Sequence, residues 1–102
     1  FIVNEAGNIL GFNVFGHSDY NINGNDIVCA AVSSACYMAA NTIVDILNID
    51  AEVSVDNNGK MMLAIKKDDS FKCRDILLGL KTHLIALEEQ YPENINVNYT
   101  EV

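Results

Sequence analysis

The segment "DIVCAAVSSACYMAANTIVDIL", residues 26–47, sets the architecture, because its apolar residues follow the period of an α-helix. The residues predicted to face the core recur at intervals of three and four: Cys29, Val32, Cys36, Ala39, Ile43 and Leu47. A more polar stripe lies opposite them: Ala30, Ser34, Tyr37, Asn41 and Asp45. Asp26 stands where an aspartate side chain caps the first amides of a helix. The pattern therefore predicts an amphipathic helix that packs on a core along one face.

Short alternating segments flank this helix. Residues 1–15 contain an apolar run, the turn-rich "NEAGN" and the alternating Leu10, Phe12 and Val14, which together predict a hairpin. A second hairpin is predicted around "DNNG", residues 56–59, which precedes a segment of alternating apolar residues. Its predicted core positions are Met61, Leu63 and Ile65.

A second helix is predicted after this hairpin and is ended by Pro92. Its predicted core stripe is Cys73, Leu77, Leu80, Leu84, Leu87 and Tyr91. Residues 95–99, in which apolar residues alternate with asparagine, predict a final strand. The order β-β-α-β-β-α-β predicts an α+β fold of two layers, with one mixed or antiparallel sheet and two helices on one face. The length predicts one domain over residues 1–102.

The composition restricts the class of partner. Fourteen acidic and six basic residues give a net charge of −8, which disfavours direct binding to nucleic acid. The same charge would attract a basic partner, and a solvated acidic surface is the commoner explanation for it. Residues 27–47 lack Lys and Arg and are long enough for a membrane span. Because they include Ser33, Ser34, Asn41 and Asp45, we expect a core helix and no membrane association.

Three cysteines, an odd number, and the absence of a signal-peptide pattern at the visible start predict reduced thiols in the cytoplasm. Phe1 begins what looks like the middle of a strand, so we expect a few native residues before it. No C-x-x-C or H-x-x-x-H spacing is present, so the sequence predicts no metal site and no cofactor.

Two residues suggest nucleophilic chemistry. If Asp26 caps the helix, Cys29 lies in its first turn, where free amides and the helix dipole favour a thiolate. His17 ends the preceding strand and is joined to the helix by a loop long enough to fold back, so it could serve as the base. The residues alone leave open that Cys29 is a buried core thiol and that His17 only ends a strand.

The stretch "GFNVFGHSDYNINGNDIVCAAVS", residues 11–33, resembles the ribosomal-processing cysteine protease family called Prp. A strand ending in Gly-His, a variable loop, and then Asp-Ile-Val-Cys-Ala-Ala-Val-Ser form the signature, and the similarity extends to "YPENINV" near the end. The resemblance implies that Cys29 and His17 are catalytic, with Asp26 and Ser33 as supporting residues. Ser18 stands where many relatives have alanine.

The resemblance also implies a substrate and an assembly. Family members are cytoplasmic endopeptidases that remove a short N-terminal extension, after a pair of phenylalanines, from the large-subunit ribosomal protein numbered twenty-seven. The resemblance also implies a homodimer in which a mobile loop covers the active site. In this chain that loop is residues 18–25, with Gly16 and Gly24 as pivots and with Tyr20 and Ile22 as candidate contacts to a substrate phenylalanine.

Two other classes compete with a protease. One is a non-enzymatic acidic homodimer that binds a ribosomal or ribosome-assembly protein through its sheet edge. The other is a redox protein, which needs a second thiol near Cys29. Cys36 is two helical turns away, too far for a disulfide of normal geometry.

Overall fold

The computed structural model describes residues 1–15, 25–57 and 59–102. Its main elements are β1 (Ile2–Val3), β2 (Ile9–Val14), α1 (Asn25–Asn41), β3 (Glu52–Val55), β4 (Met61–Ala64), α2 (Arg74–Gln90) and β5 (Thr100–Glu101). A π-helical segment, Thr42–Ile46, follows α1, and a 3₁₀ turn, Lys67–Asp69, comes before α2. The predicted order of strands and helices is confirmed.

The strands form one five-stranded sheet in the order β3-β4-β2-β1-β5. β1 pairs with β5 in parallel, and the other neighbouring strands are antiparallel, so the sheet is mixed. Both predicted hairpins are present. The parallel pair brings the end of the chain beside its beginning, which matters for the cleft described below.

The β1–β2 hairpin has the turn that its sequence indicated. The Asn4 side chain accepts a hydrogen bond from the Asn8 amide at 2.9 Å, and the Gly7 amide donates to the Asn4 carbonyl at 2.9 Å. Gly7 has a φ of +84°, a conformation that glycine adopts without steric cost. The second hairpin is closed in a similar way, since the Asp56 carboxylate accepts from the Lys60 amide at 2.9 Å.

A β-bulge changes which residues of β2 enter the core. Ile2 pairs with Gly11 and Val3 pairs with Ile9, so Leu10 is an extra residue in β2. As a result Ile9 is buried and Leu10 only half-buried, whereas simple alternation predicted Leu10 on the same face as Phe12. Beside the bulge, β4 runs so close that a Cβ on Gly11 would collide with the Leu63 carbonyl oxygen.

The core lies between the sheet and the two helices. Its largest fully enclosed side chains come from all three components: Phe12, Ile43, Leu63, Leu77, Cys36 and Cys73. The predicted core positions of β4 are confirmed, because Met61, Leu63 and Ile65 are buried. α1 packs on α2, and α2 packs on β2, which confirms two layers with both helices on one face.

The outward stripe predicted for α1 is exposed, whereas the predicted core stripe fails at its end. The Leu47 amide donates to the Thr42 carbonyl at 2.8 Å, a bond that spans five residues. This π-type spacing rotates the following residues, so Leu47 is exposed and Ile49 is buried instead. The Thr42 hydroxyl donates to the Met38 carbonyl at 2.8 Å, which competes with regular helical bonding at this point.

The predicted strand over residues 95–99 is wrong, because the last strand is β5, Thr100–Glu101. The Asn94 and Ile95 amides both donate to the Tyr91 carbonyl, at 2.9 and 3.1 Å. The Val97 amide donates to the Glu88 carboxylate of α2. These amides are therefore not available to a sheet ladder. Tyr91, predicted as a core residue of the second helix, is exposed just beyond its end.

Among the described residues, one helical stretch, Ile27–Ile46, is long and apolar enough to cross a membrane. In this fold its Cys36, Ala39 and Ile43 are completely enclosed between the sheet and α2. These residues confirm the predicted core face of the helix. Since 28% of the whole stretch is buried, the expectation of no membrane association stays a prediction.

Candidate active site

A cleft of about 570 Å³ lies between the first turns of α1, the sheet and the segment that leads into β5. This volume lies in the range of small-molecule and peptide side-chain sites. α1 contributes Val28, Cys29, Val32 and Ser33 to its lining. The other lining residues are Phe1, Ile2, Phe12, Asn13, Val14, Phe15, Gly59, Leu84, Asn94, Ile95, Asn96, Val97, Asn98 and Thr100.

Cys29 is a free, half-buried thiol at the edge of this cleft. The structure corrects its predicted position: α1 begins at Asn25, so Asp26 is the second residue of the helix and not its cap, and Cys29 is the fifth. The Cα–Cβ bond of a helical residue tilts toward the N-terminus. The Cys29 side chain therefore still leans toward the first turn, where amides lack partners within the helix.

The other two cysteines have the environment of structural thiols. Cys36 and Cys73 are completely buried. Burial raises the pKa of the Cys36 thiol to about 11. Burial, and after it the Asp69 carboxylate, raise the pKa of Cys73, against an opposing effect of Lys72. The thiolate is the nucleophilic form of cysteine, and burial disfavours it at Cys36 and Cys73. Cys29 is also the one cysteine of the three that lines the cleft, where a substrate can bind.

Ser33 lies one turn after Cys29, is half-buried, and lines the same cleft. The structure thus brings together two of the residues that the resemblance singled out. A hydroxyl at this distance along the helix can donate a hydrogen bond to a group bound beside Cys29.

The other predicted site residues lie outside the described part of the chain. Gly16, His17, Tyr20, Ile22 and Gly24 all fall in residues 16–24. For Asp26 the structure describes the backbone in α1 but not the side chain. The pairing of His17 with Cys29 therefore remains a prediction.

One wall of the cleft was missed by the sequence analysis. Residues 94–98 line it through Ile95, Val97 and three asparagines. One signal was available, because asparagine is depleted in strands and stands at every second position here. The sequence did not indicate that phenylalanines of the first hairpin belong to the site. Phe12 lines the cleft and also packs in the core.

Within the described residues, no group of three His, Cys, Asp or Glu side chains is close enough together to hold a metal ion. His83, the second histidine of the chain, is exposed on α2.

Comparison with known proteins gives consistent matches over almost the whole chain. The family model described as "Cysteine protease Prp" matches residues 1–96. The ribosomal processing cysteine protease Prp of Staphylococcus aureus strain Mu50 is 31% identical over 98 residues, which are 95% of this chain and 92% of that protein. The protein of the same description from Bacillus subtilis strain 168 is 22% identical, over 87% of this chain and 84% of its own.

Solved structures of the S. aureus protease are similar as well. Its complex with a substrate peptide has a TM-score of 0.88 and 27% identity, and the match covers 97% of this chain and 94% of that one. Its complex with a covalently linked product peptide has a TM-score of 0.83 and 29% identity, with the same coverage.

Proposed function

The chain belongs to the cysteine protease Prp family, and on this premise we propose that it removes the N-terminal extension of the large-subunit ribosomal protein numbered twenty-seven. Membership of a cysteine protease family decides against the non-enzymatic and redox classes that the sequence left open. We propose Cys29 as the nucleophile and His17 as the base. The reaction would be cleavage of one peptide bond after a pair of phenylalanines.

One observation carries the assignment of Cys29. Its thiol is half-buried beside a cleft, whereas Cys36 and Cys73 are enclosed in the core. A nucleophile must contact the scissile carbonyl, and a buried thiol cannot. The relative from S. aureus has been seen with a covalently linked product peptide, which supports a covalent mechanism for the family.

In the proposed mechanism the Cys29 thiolate attacks the scissile carbonyl carbon, and the C–N bond of the tetrahedral intermediate then breaks to leave a thioester. His17 first takes the thiol proton and then gives it to the departing amine. Amides at the start of α1 would stabilise the oxyanion. Water, activated by His17, then hydrolyses the thioester. Asp26 would orient His17, and Ser33 would donate a hydrogen bond in the cleft.

The cleft suits an extended peptide with bulky apolar side chains. Phe12, Val14 and Phe15 provide an apolar wall, and asparagines opposite offer donors and acceptors for a peptide main chain. We propose that Tyr20 and Ile22 contact a substrate phenylalanine as well, with Gly16 and Gly24 at the ends of their loop. The Phe15 ring is exposed at the cleft, and its centre lies 6.0 Å from the Lys60 ammonium.

The net charge of −8 supports a basic protein as substrate. Opposite charges raise the rate of encounter, and this effect falls as salt is added. We propose a cytoplasmic enzyme that binds the N-terminal extension of the ribosomal protein and does not bind nucleic acid or membranes directly.

We also propose a homodimer, with its interface on the outer side of α1 and the π-helical segment. This surface exposes Tyr37, Met38 and Ile46, of which Ile46 is 71% exposed. Residues 27–44 contain no charged side chain, which is unusual in so acidic a chain. Asp45 is the one charged residue between Ile27 and Ile46, so two copies repel each other less on this side than elsewhere. Met38→Asp should shift sedimentation to the monomer, and an unchanged sedimentation coefficient would place the interface elsewhere.

The cleavage experiment uses a peptide that carries the phenylalanine pair, under reducing conditions. We expect the wild-type protein to cleave it, and Cys29→Ala to lower the rate by at least about a thousandfold. Cys36→Ala is the matched control, because it removes a thiol from the same helix without touching the cleft. Cleavage by Cys29→Ala at the wild-type rate would rule out the proposed nucleophile, and an uncut peptide with wild-type protein would rule out the substrate.

A further inference from the structure

The cleft wall opposite α1 consists of a segment without regular secondary structure. Residues 91–99 connect α2 to β5, and residues 94–98 within them line the cleft together with Cys29. A substrate chain bound beside Cys29 would lie against this wall. Residues 94–97 lie outside the sheet ladder, and the Asn98 carbonyl accepts a hydrogen bond from the Phe1 nitrogen at 2.8 Å. The position of the wall therefore depends on a small number of individual contacts.

Besides the bond at Asn98, one face of α2 supplies contacts to this segment. The Val97 amide donates a hydrogen bond to the Glu88 carboxylate at 2.7 Å, in a partly buried position. The Lys81 ammonium lies 5.1 Å from the centre of the Tyr99 ring. Leu84 lies between these positions on the same helical face and lines the cleft itself.

Of the contacts from α2, the hydrogen bond to Glu88 is the most directional. A hydrogen bond from an amide to a carboxylate is stronger than one between neutral groups. It is attached at Val97, in the part of the segment that lines the cleft, whereas the Asn94 and Ile95 amides donate to the nearby Tyr91 carbonyl. On either side of Val97, Asn96 and Asn98 line the cleft with exposed side chains.

We infer that Glu88 is a positioning residue for substrate binding, which holds residues 94–98 where an extended peptide lies between them and Cys29. Glu88 does not touch the reacting atoms. It acts through Val97, and by fixing that residue it helps to hold Asn96 and Asn98, which line the cleft on either side. This inference rests on the proposed function, since it assumes that a peptide occupies the cleft.

The test compares Glu88→Ala and Glu88→Gln with Glu89→Ala as a matched control. Glu89 is the next residue of α2, has the same charge and is exposed. Cleavage of the phenylalanine-pair peptide gives KM and kcat separately, and hydrogen exchange at the Val97 amide reports on the wall itself. Thermal unfolding confirms that each variant is folded.

We expect Glu88→Ala to raise KM at least fivefold with kcat within twofold of wild type, and to speed exchange at Val97 at least tenfold. Glu88→Gln should stay within twofold in KM, because its amide oxygen still accepts from Val97. Glu89→Ala should match wild type in every measurement. A wild-type KM, or unchanged exchange at Val97, in Glu88→Ala would overturn the inference.

If Glu88→Ala does not fold, Glu88→Asp replaces it, since the shorter side chain withdraws the carboxylate and keeps the charge. A raised KM with faster Val97 exchange then supports the inference, and wild-type values overturn it. If wild-type protein leaves the peptide uncut, the proposed function has failed, while the exchange rate at Val97 still decides whether Glu88 holds the wall.

Discussion

Cys29 and Cys36 lie two turns apart on the same face of α1, but they belong to different regions of the molecule. Around Cys29 the helix borders a cleft, and the thiol is half-buried. Around Cys36 the sheet and α2 close over the helix, and the thiol is fully buried. One helix therefore carries a candidate reactive region at its start and a structural region further along. The difference lies in what packs against each thiol, since the residue type and the helical face are the same.

The largest contrast should appear in thiol alkylation of the native protein. We expect Cys29 to react more than a thousandfold faster than Cys36 or Cys73, because a core thiol reacts only after local or global unfolding. Mass spectrometry of partly alkylated, digested protein measures the three rates. In denaturant the three rates should converge. Comparable native rates at Cys29 and Cys36 would remove the distinction between the two regions.

The second prediction concerns how tightly the core side is built. Gly11→Ala should lower the free energy of unfolding by about 3 kcal/mol, because the new methyl group meets the Leu63 carbonyl oxygen and must separate β2 from β4. Urea denaturation measures the change. A loss below about 1 kcal/mol would show that these strands can move apart at little cost.

A third prediction uses pH to separate the two regions. Because burial raises the pKa of Cys36 from 9.0 to about 11, the folded protein keeps this thiol neutral where the unfolded chain ionises it. Its contribution to stability is complete below pH 9 and is lost as pH rises toward 11, by roughly 2 to 3 kcal/mol. The measurement is the difference in unfolding free energy between wild type and Cys36→Ala across this range. Parallel pH curves for the two proteins would contradict the prediction.

The smallest effect should come from a glycine outside both regions. Gly79 is an exposed residue in the middle of α2, and a Cβ built there meets nothing within 4 Å. Gly79→Ala should therefore raise the free energy of unfolding by about 0.5 to 1 kcal/mol. It is also the matched control for Gly11→Ala. Destabilisation by both substitutions would mean that the cost at Gly11 is not specific to the contact with β4.

Much of the fold followed from local patterns, and the departures have identifiable causes. Ile9 takes the core position expected of Leu10 because a bulge inserts one residue into β2. Ile49 replaces Leu47 because a π-type turn shifts the helical phase after Asn41. Both irregularities change the count of residues between core positions. A pattern with a fixed period cannot anticipate them.

Part of the candidate site also followed from local sequence patterns, and part of it did not. The motif around Cys29, with Ser33 one turn later, indicated a site at the start of α1, and both residues line the cleft there. The segment at 94–98 was expected to be a strand, and its role as the opposite wall was missed. That role depends on the Glu88 bond to Val97 and on the pairing of β5 with β1.

The sequence by itself determined the order of the elements, the buried face of each helix and the protein family, because these depend on patterns of residues close together along the chain. The tertiary structure alone decided that Cys29 opens onto a cleft while Cys36 does not, and that residues 94–98 face Cys29 from more than sixty positions away. Burial and cleft shape arise from what distant segments place beside a side chain. The helical period gave both cysteines the same face, and only packing made them different.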